Sequence, residues 1–189
     1  MSDINKIVRT EIPSWENIHT IVFDFDGVFT NNKVLVDENG KESVICDRRD
    51  GLGLEILNKF VKLNQWNLVY LILSKEKNNV VLKRASKMRV ICHCGVDSKL
   101  QFIKDNLSKR FPKSENIEQG LIYLGNDLND LDSMNYAGFS VCPNDAHLTI
   151  KKYSNLIIEK NGGDGFVREF IEKLIKFDKM SLEELSEFI

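Results

Sequence analysis

The sequence has no excess of either charge, no long apolar run, no export signal and no disulfide framework. Each absence narrows what the chain does. Its 26 Lys and Arg against 28 Asp and Glu leave a formal net charge of −2. The basic residues are spread along the chain, so no footprint for nucleic acid is present. Apolar runs reach only about six residues, as over 68–73, far short of the ~20 that cross a bilayer. Residues 1–6 contain no apolar core for export. Together these point to a cytoplasmic protein with no membrane partner. Four cysteines without a leader do not read as a secreted disulfide scaffold. Cys92-His93-Cys94 has the ligand types of a soft-metal site, but no second ligand pair lies near it in sequence. It reads as a strand running into a turn at Gly95, with buried, reduced thiols. No internal repeat and no low-complexity segment is present.

What is present fits one domain. The 189 residues are enough for a single core and too few for two full domains. We read 1–189 as that domain, with an N-terminal arm over 1–17, a hairpin over 33–46 and a C-terminal tail over 178–189. Apolar runs alternate with helical stretches. Strands are expected over 20–25, 68–73, 89–92 and 121–124, with weaker ones over 139–142 and 155–158. Helices are expected over 52–63, 75–88, 97–111, 128–137 and 166–177. Between the first strand and first helix, two short alternating segments, 33–36 and 42–46, flank Asn39-Gly40, a pair suited to a tight hairpin turn. Ser181-Leu182-Glu183-Glu184 matches a capping box and starts a short terminal helix. Strands alternating with helices imply an α/β fold, a Rossmann-like parallel sheet with helices on both faces, plus the small hairpin.

In such sheets ligands bind beyond the carboxyl ends of the strands. The residues placed there are Asp24 and Asp26, Ser74, Lys99, Asn126 and Asp127. This set suits hydrolysis of a phosphate monoester, which needs a nucleophile, a proton for the leaving alcohol and positive charge around the phosphoryl oxygens. Asp24 is placed to attack phosphorus. Asp26 is placed to protonate the leaving group and then to activate water. Gly27 lets the backbone turn beside the substrate. Ser74 offers a hydroxyl and a backbone amide to the phosphoryl oxygens, and Lys99 offers a fixed positive charge. Asn126 and Asp127, one Asp24 oxygen and the Asp26 main-chain carbonyl form an oxygen shell for Mg²⁺. Asp130 orients Lys99 or a ligand from behind. Each residue alone has a plainer reading as a helix cap, a turn residue or a solvated helix residue. Their order after successive strands favours a phosphate and metal site.

These segments resemble the four motifs of the haloacid dehalogenase superfamily. Asp24-Phe25-Asp26-Gly27-Val28-Phe29-Thr30, the Asn39-Gly40 hairpin and Arg49-Asp50-Gly51-Leu52-Gly53 are similar to the capless 3-deoxy-D-manno-octulosonate 8-phosphate phosphatases. So are Gly95-Val96-Asp97-Ser98-Lys99, Asp145-Ala146-His147 and Gly162-Gly163-Asp164-Gly165-Phe166-Val167-Arg168-Glu169. Leu73-Ser74-Lys75-Glu76 and Gly125-Asn126-Asp127 lean toward the phosphatase-type domain joined to some acylneuraminate cytidylyltransferases. The similarity covers residues 18–175. It implies no cap domain, a Mg²⁺ cofactor, an aspartyl-phosphate intermediate, a homotetramer whose neighbours close the site, and a place in lipopolysaccharide or sialic acid biosynthesis. The hairpin, and the tail through Leu182, Leu185 and Phe188, would then lie at subunit contacts. The tail packing on its own subunit is the equal alternative. Arg49 agrees with the octulosonate pattern as a substrate-binding residue.

Two positions depart from that pattern. Many of these phosphatases have Asp where this chain has Asn126, which keeps a carbonyl ligand and removes a negative charge. The octulosonate enzymes have Arg where this chain has Asp164, which weakens the case for that anionic substrate. The expected function is therefore a Mg²⁺-dependent phosphatase of the octulosonate 8-phosphate or of a sialic-type 9-phosphate. The alternative is a weakly active or non-catalytic oligomerisation module. Cytidylyl transfer fails on length, because only about twenty residues precede the first motif, fewer than a nucleotide-binding domain needs.

Overall fold

The computed structural model describes residues 11–188. Six parallel strands form the sheet: β1 (Thr20–Phe23), β4 (Val69–Leu73), β5 (Ile91–His93), β6 (Leu121–Leu124), β7 (Phe139–Pro143) and β8 (Leu156–Ile158), in the order β5-β4-β1-β6-β7-β8. A separate antiparallel pair, β2 (Leu35–Val36) and β3 (Glu42–Ser43), forms the hairpin. The described residues also form seven α-helices: α1 (Arg48–Leu63), α2 (Asn79–Met88), α3 (Lys99–Arg110), α4 (Leu131–Tyr136), α5 (Leu148–Tyr153), α6 (Phe166–Leu174) and α7 (Leu182–Ser186). Only the hairpin stands between β1 and α1, so no cap domain is inserted there.

Strand alternation splits the core into two layers, as period-2 side chains require. Ile21 and Phe23 of β1, with Ile122 and Leu124 of β6, face α1, α2 and α6. Val22, Leu121 and Tyr123 face α3, α4 and α5. The expected sheet with helices on both faces is therefore the observed one. Differences lie at the boundaries. The helix expected from residue 52 begins at Arg48, because Asp47 caps it by accepting from the Arg49 amide at 2.7 Å. The helix expected from residue 75 begins at Asn79, because Asn78 provides the cap. Residues 75–78 become a loop at the strand end. Helix α5, capped by His147, lies between two expected strands, in a stretch given no element from the sequence.

The ends of the chain are more firmly held than the sequence implied. The first ten residues of the arm lie outside the described residues. Beyond them Trp15 packs edge-on against Phe60 and Trp66, each at 5.4 Å between ring centroids, so this part of the arm is docked. The capping box at Ser181 is formed as read. Phe188 is buried and stacks on Phe60 of α1 at 6.2 Å. The tail thus rests on its own subunit through Phe188, while Leu182 is 86% exposed.

Asp50 ties α1 to α6. It is fully buried, and one carboxylate oxygen accepts from the Arg168 amide in the first turn of α6 at 3.0 Å. The other oxygen has no partner. Burial pushes its pKa up to about 7, against the amides of Arg168 and Val167, which favour the charged form. The folded state therefore binds the Asp50 proton more tightly than the unfolded chain does. Its contribution is fully present below the ordinary aspartate range and is lost as pH rises toward 7. Asp50→Asn should remove that loss. In urea titrations the variant should match wild type near pH 4 and exceed it by about 4 kcal/mol at pH 8. A variant less stable than wild type at pH 8 would show that the charged cap outweighs desolvation.

Candidate active site

Strands β1 and β6 are neighbours in register, with Phe23 opposite Leu124, and β4 flanks β1 with Ile72 opposite Phe23. Their carboxyl ends therefore deliver Asp24, Ser74 and Asn126 to one edge. The cleft there is about 500 Å³ and is lined in part by Asp24, Asp26, Ser74, Asn126 and Asp127.

Lys99 sits beneath the cleft between two carboxylates. Its Nζ lies 2.7 Å from Asp24 Oδ1 and 2.8 Å from Asp130 Oδ1, and all three side chains are buried. Lys99 opens α3, where the helix dipole disfavours a cation. Burial alone would lower its pKa, but Asp24 and Asp130 outweigh burial and raise it, so the ammonium stays charged. Asp130 takes further donors from the Tyr123 hydroxyl at 2.7 Å and the Asn126 amide at 3.0 Å. This is the supporting position read from the sequence. Burial and the Asp130 charge raise the Asp24 pKa well above the carboxylate range, and Lys99 pulls it back. The buried trio carries a net charge of −1 when both acids are ionised, which a cation in the cleft would offset.

Asp26 is half-buried at the mouth. Burial, Glu76 and Glu42 raise its pKa, while Lys99 and a hydrogen bond with Thr30 act the other way. The Gly27 backbone has φ +77°, and a side chain there would collide with Asn126, whose Nδ2 lies 2.0 Å from the Cβ position. Gly162 closes over the same loop, since a Cβ at that position would fall 2.0 Å from the Gly27 carbonyl oxygen. Asp145 holds Gly162 through its amide at 2.9 Å.

The oxygen set fits a hard cation. Asn126 Oδ1 is buried beside the loop after β1 and has no hydrogen-bond partner. Asp127 also lines the cleft, but its Oδ1 accepts from the Leu128 amide at 2.7 Å and so helps cap the following turn. Among the described residues no three His, Cys, Asp or Glu side chains form a metal cluster by themselves. A shell that includes an amide and a main-chain carbonyl meets the same demand, because Mg²⁺ accepts neutral oxygens.

Two expectations change. The Ser74 amide is not free for a phosphoryl oxygen: it donates to the His93 carbonyl at 2.9 Å, extending the β4–β5 pairing. Its hydroxyl, which accepts from the Glu76 amide at 3.1 Å, keeps a proton to donate. Arg49 does not join the cleft of its own subunit. Its guanidinium lies 2.5 Å from both Asp47 and Asp164, so the residue that departs from the octulosonate pattern is the one that binds Arg49. Sequence reasoning missed Tyr123, Asp145 and Gly162 as supports. The signals were there: Tyr123 is a phenol in the otherwise aliphatic strand Leu-Ile-Tyr-Leu, and Asp145 and Gly162 lie in segments that carry the family resemblance.

No protein-family model matches the chain. A solved structure from Streptomyces avermitilis, described as an HAD family hydrolase, is 34% identical with a TM-score of 0.77, over 87% of this chain and 94% of that one. The 3-deoxy-D-manno-octulosonate 8-phosphate phosphatase of Salmonella typhi is 29% identical over 161 residues, 85% of this chain and 80% of the relative. The corresponding phosphatase of Moraxella catarrhalis, solved with magnesium, phosphate and KDO, is 26% identical with a TM-score of 0.76, over 93% of this chain and 95% of that one.

Replacing Lys99 tests the buried trio. Lys99→Met leaves Asp24 and Asp130 facing each other without a counter-charge and should cost about 3–5 kcal/mol of stability at neutral pH. Urea unfolding measures it. A loss below about 1 kcal/mol, the scale of an exposed pair, would show that the trio is not ionised as described.

Proposed function

This chain belongs to the haloacid dehalogenase (HAD) family of hydrolases, and from that premise we propose that it is a Mg²⁺-dependent phosphatase of a sugar-acid phosphate. The carrying observation is the buried Asp24–Lys99–Asp130 trio beside the unpartnered Asn126 oxygen. A carboxylate paired with a fixed cation, next to a spare hard oxygen ligand for a metal ion, is what transfer of a phosphoryl group to an aspartate requires.

Asp24, Asn126, Asp127 and the Asp26 carbonyl would hold the ion. When bound, Mg²⁺ supplies positive charge to the phosphoryl oxygens and offsets the buried negative charge. Asp24 attacks phosphorus through the carboxylate oxygen not held by Lys99, and an aspartyl phosphate results. Lys99 favours the charged form of Asp24 against its burial, and the positive charge of a bound ion would add to that. The Ser74 hydroxyl donates to a phosphoryl oxygen. Asp26, whose raised pKa lets it carry a proton, gives that proton to the leaving sugar oxygen. It then takes one from the water that cleaves the aspartyl phosphate, and Asp24 is regenerated.

The sugar-acid assignment draws on the named activities of the relatives, and the octulosonate 8-phosphate and a sialic-type 9-phosphate are the two candidates. Asp164 bound to Arg49 favours the second, since Arg49 is then neutralised rather than free for the octulosonate carboxylate. We place the site in a homotetramer. Leu35, Val36 and Ile45 of the hairpin are 61–65% exposed, and a two-stranded hairpin is marginal alone. Val34, Glu42 and Val44 line the same cleft as Asp24. A neighbour seated on this hairpin would limit bulk water at the site. The second reading, an assembly module with little turnover, rests on Asn126, where the loss of a carboxylate weakens the ion's hold.

Phosphate release from both sugar-acid phosphates and from simple sugar phosphates, with and without Mg²⁺, decides between them. Turnover should need Mg²⁺ and fall to background in Asp24→Asn. Asp26→Asn should lose about 10²–10⁴-fold in kcat, the usual worth of a general acid. Asn126→Asp should tighten Mg²⁺ binding, read as a lower half-saturating concentration. No Mg²⁺-dependent turnover on any substrate would leave the assembly reading.

A further inference from the structure

Cys92 and Cys94 form a close dithiol behind the loop that carries Ser74. They lie two apart at the end of β5, the edge strand, so their side chains share a face. Their sulfurs are 3.4 Å apart, and both residues are partly accessible. His93 between them points the other way and packs its ring on Phe102 at 4.7 Å. The His93 carbonyl is the group that accepts the Ser74 amide at 2.9 Å. The Ser74 carbonyl in turn accepts the Val96 amide at 3.2 Å. The dithiol therefore brackets the carbonyl that accepts the Ser74 amide.

We propose that this pair is an oxidation site: a hydroperoxide closes Cys92 and Cys94 into a disulfide, and closure loosens Ser74. Extended residues two apart have Cα atoms about 6.6 Å apart, within the ~4.4–6.8 Å that a disulfide spans but near its outer limit. Bringing the sulfurs from contact to bonding distance draws the strand in at His93 and tilts its carbonyl away from the Ser74 amide. The chemistry balances in two steps. The Cys94 sulfur attacks the outer peroxide oxygen, an S–O bond forms, the O–O bond breaks and an alcohol or water leaves. The Cys92 sulfur then displaces hydroxide from Cys94, an S–S bond forms, and the thiol proton leaves with the hydroxide as water. Two electrons pass from the sulfurs to the peroxide, and a dithiol reductant reverses the change. The order follows from the surroundings. Burial, and then the neighbouring Cys94, push the Cys92 thiol up to about 12, so Cys94 meets the oxidant and Cys92 resolves it once that neighbour is no longer a thiol.

The test uses the full chain, treated with hydrogen peroxide and compared with Cys92→Ser, Cys94→Ser and Cys46→Ser. Oxidised wild type and Cys46→Ser should each lose two hydrogens in intact mass, with the bridge mapped to Cys92 and Cys94. Amide exchange at Ser74 should accelerate about 3–10-fold, the worth of one backbone hydrogen bond, and dithiothreitol should restore it. Cys92→Ser and Cys94→Ser should form no bridge and keep the slow exchange. The effect on turnover rests on the proposed phosphatase reading, and there KM should rise by a similar factor with kcat little changed. Exchange is read whether or not the protein turns over substrate, so a failure of that reading leaves this test intact. Oxygen addition without loss of two hydrogens, a bridge that includes Cys46 or a second chain, or a Cys92–Cys94 bridge with unchanged exchange at Ser74 would overturn the proposal.

Discussion

Lys99, held between Asp24 and Asp130, joins three segments that are distant in sequence: the end of β1, the turn after β6 and the start of α3. None of the three charges is tolerable there alone. A buried ion loses several kcal/mol of solvation, and only close, well-bonded partners return it. Lys99 has two carboxylates. Asp130 has Lys99, the Tyr123 hydroxyl and the Asn126 amide. Asp24 has the least, one ammonium and its neighbour's amide, and its pKa is accordingly raised. The residue left least compensated is the one proposed to react. An incompletely satisfied carboxylate at the cleft floor invites a dication, which supplies the positive charge the protein withholds.

The scaffold around this trio braces the loop that follows β1. Asp24 leaves β1 bonded by its amide to the Leu124 carbonyl at 2.9 Å. The loop then turns at Gly27, and Gly162 and Gly163 lie flat on its far side. The Gly163 amide donates to Val28, and the Gly162 amide to Asp145. The two glycines have no side chains because the approach is backbone to backbone. Support therefore comes from the loops after β7 and β8, although those strands contribute no residue to the chemistry. The parallel sheet makes this possible, since every strand delivers its loop to the same edge.

Much of this was legible in the sequence because it depends on local pattern. Residues 121–124 match β6, and the order of acids, serine, lysine and asparagine after successive strands located the cleft. What was not legible depends on partners distant in the chain. Asp50 falls just ahead of the helix expected from residue 52, and only its contact with α6 shows that it caps another helix. The Ser74 amide looks available until β5 is placed beside it. Arg49 looks like a free cation until Asp164, over a hundred residues later, is seen to bind it. Trp15 reads as part of a polar arm because its partners, Phe60 and Trp66, come from α1 and the loop after it. Burial of polar groups and pairing of charges are tertiary properties, and periodicity carries no record of them.

The hairpin joins these themes. Its ladder is two residues long on each strand, too little to hold it by itself. Two ties fix it to the site. Thr30 bridges to Cys46 at its base, and Glu42 accepts from Asn78 of the loop after β4. Thr30 also accepts the Gly27 amide at 3.1 Å and bonds to Asp26. The residue that anchors the hairpin is thus the residue that positions the acid. The hairpin's outer side chains, Leu35, Val36 and Ile45, expose apolar surface that water disfavours. That surface belongs to a strand pair linked through Thr30 to Asp26. With no domain inserted between β1 and α1, the apolar side of the cleft and the half-buried Asp26 are thereby tied through one buried threonine.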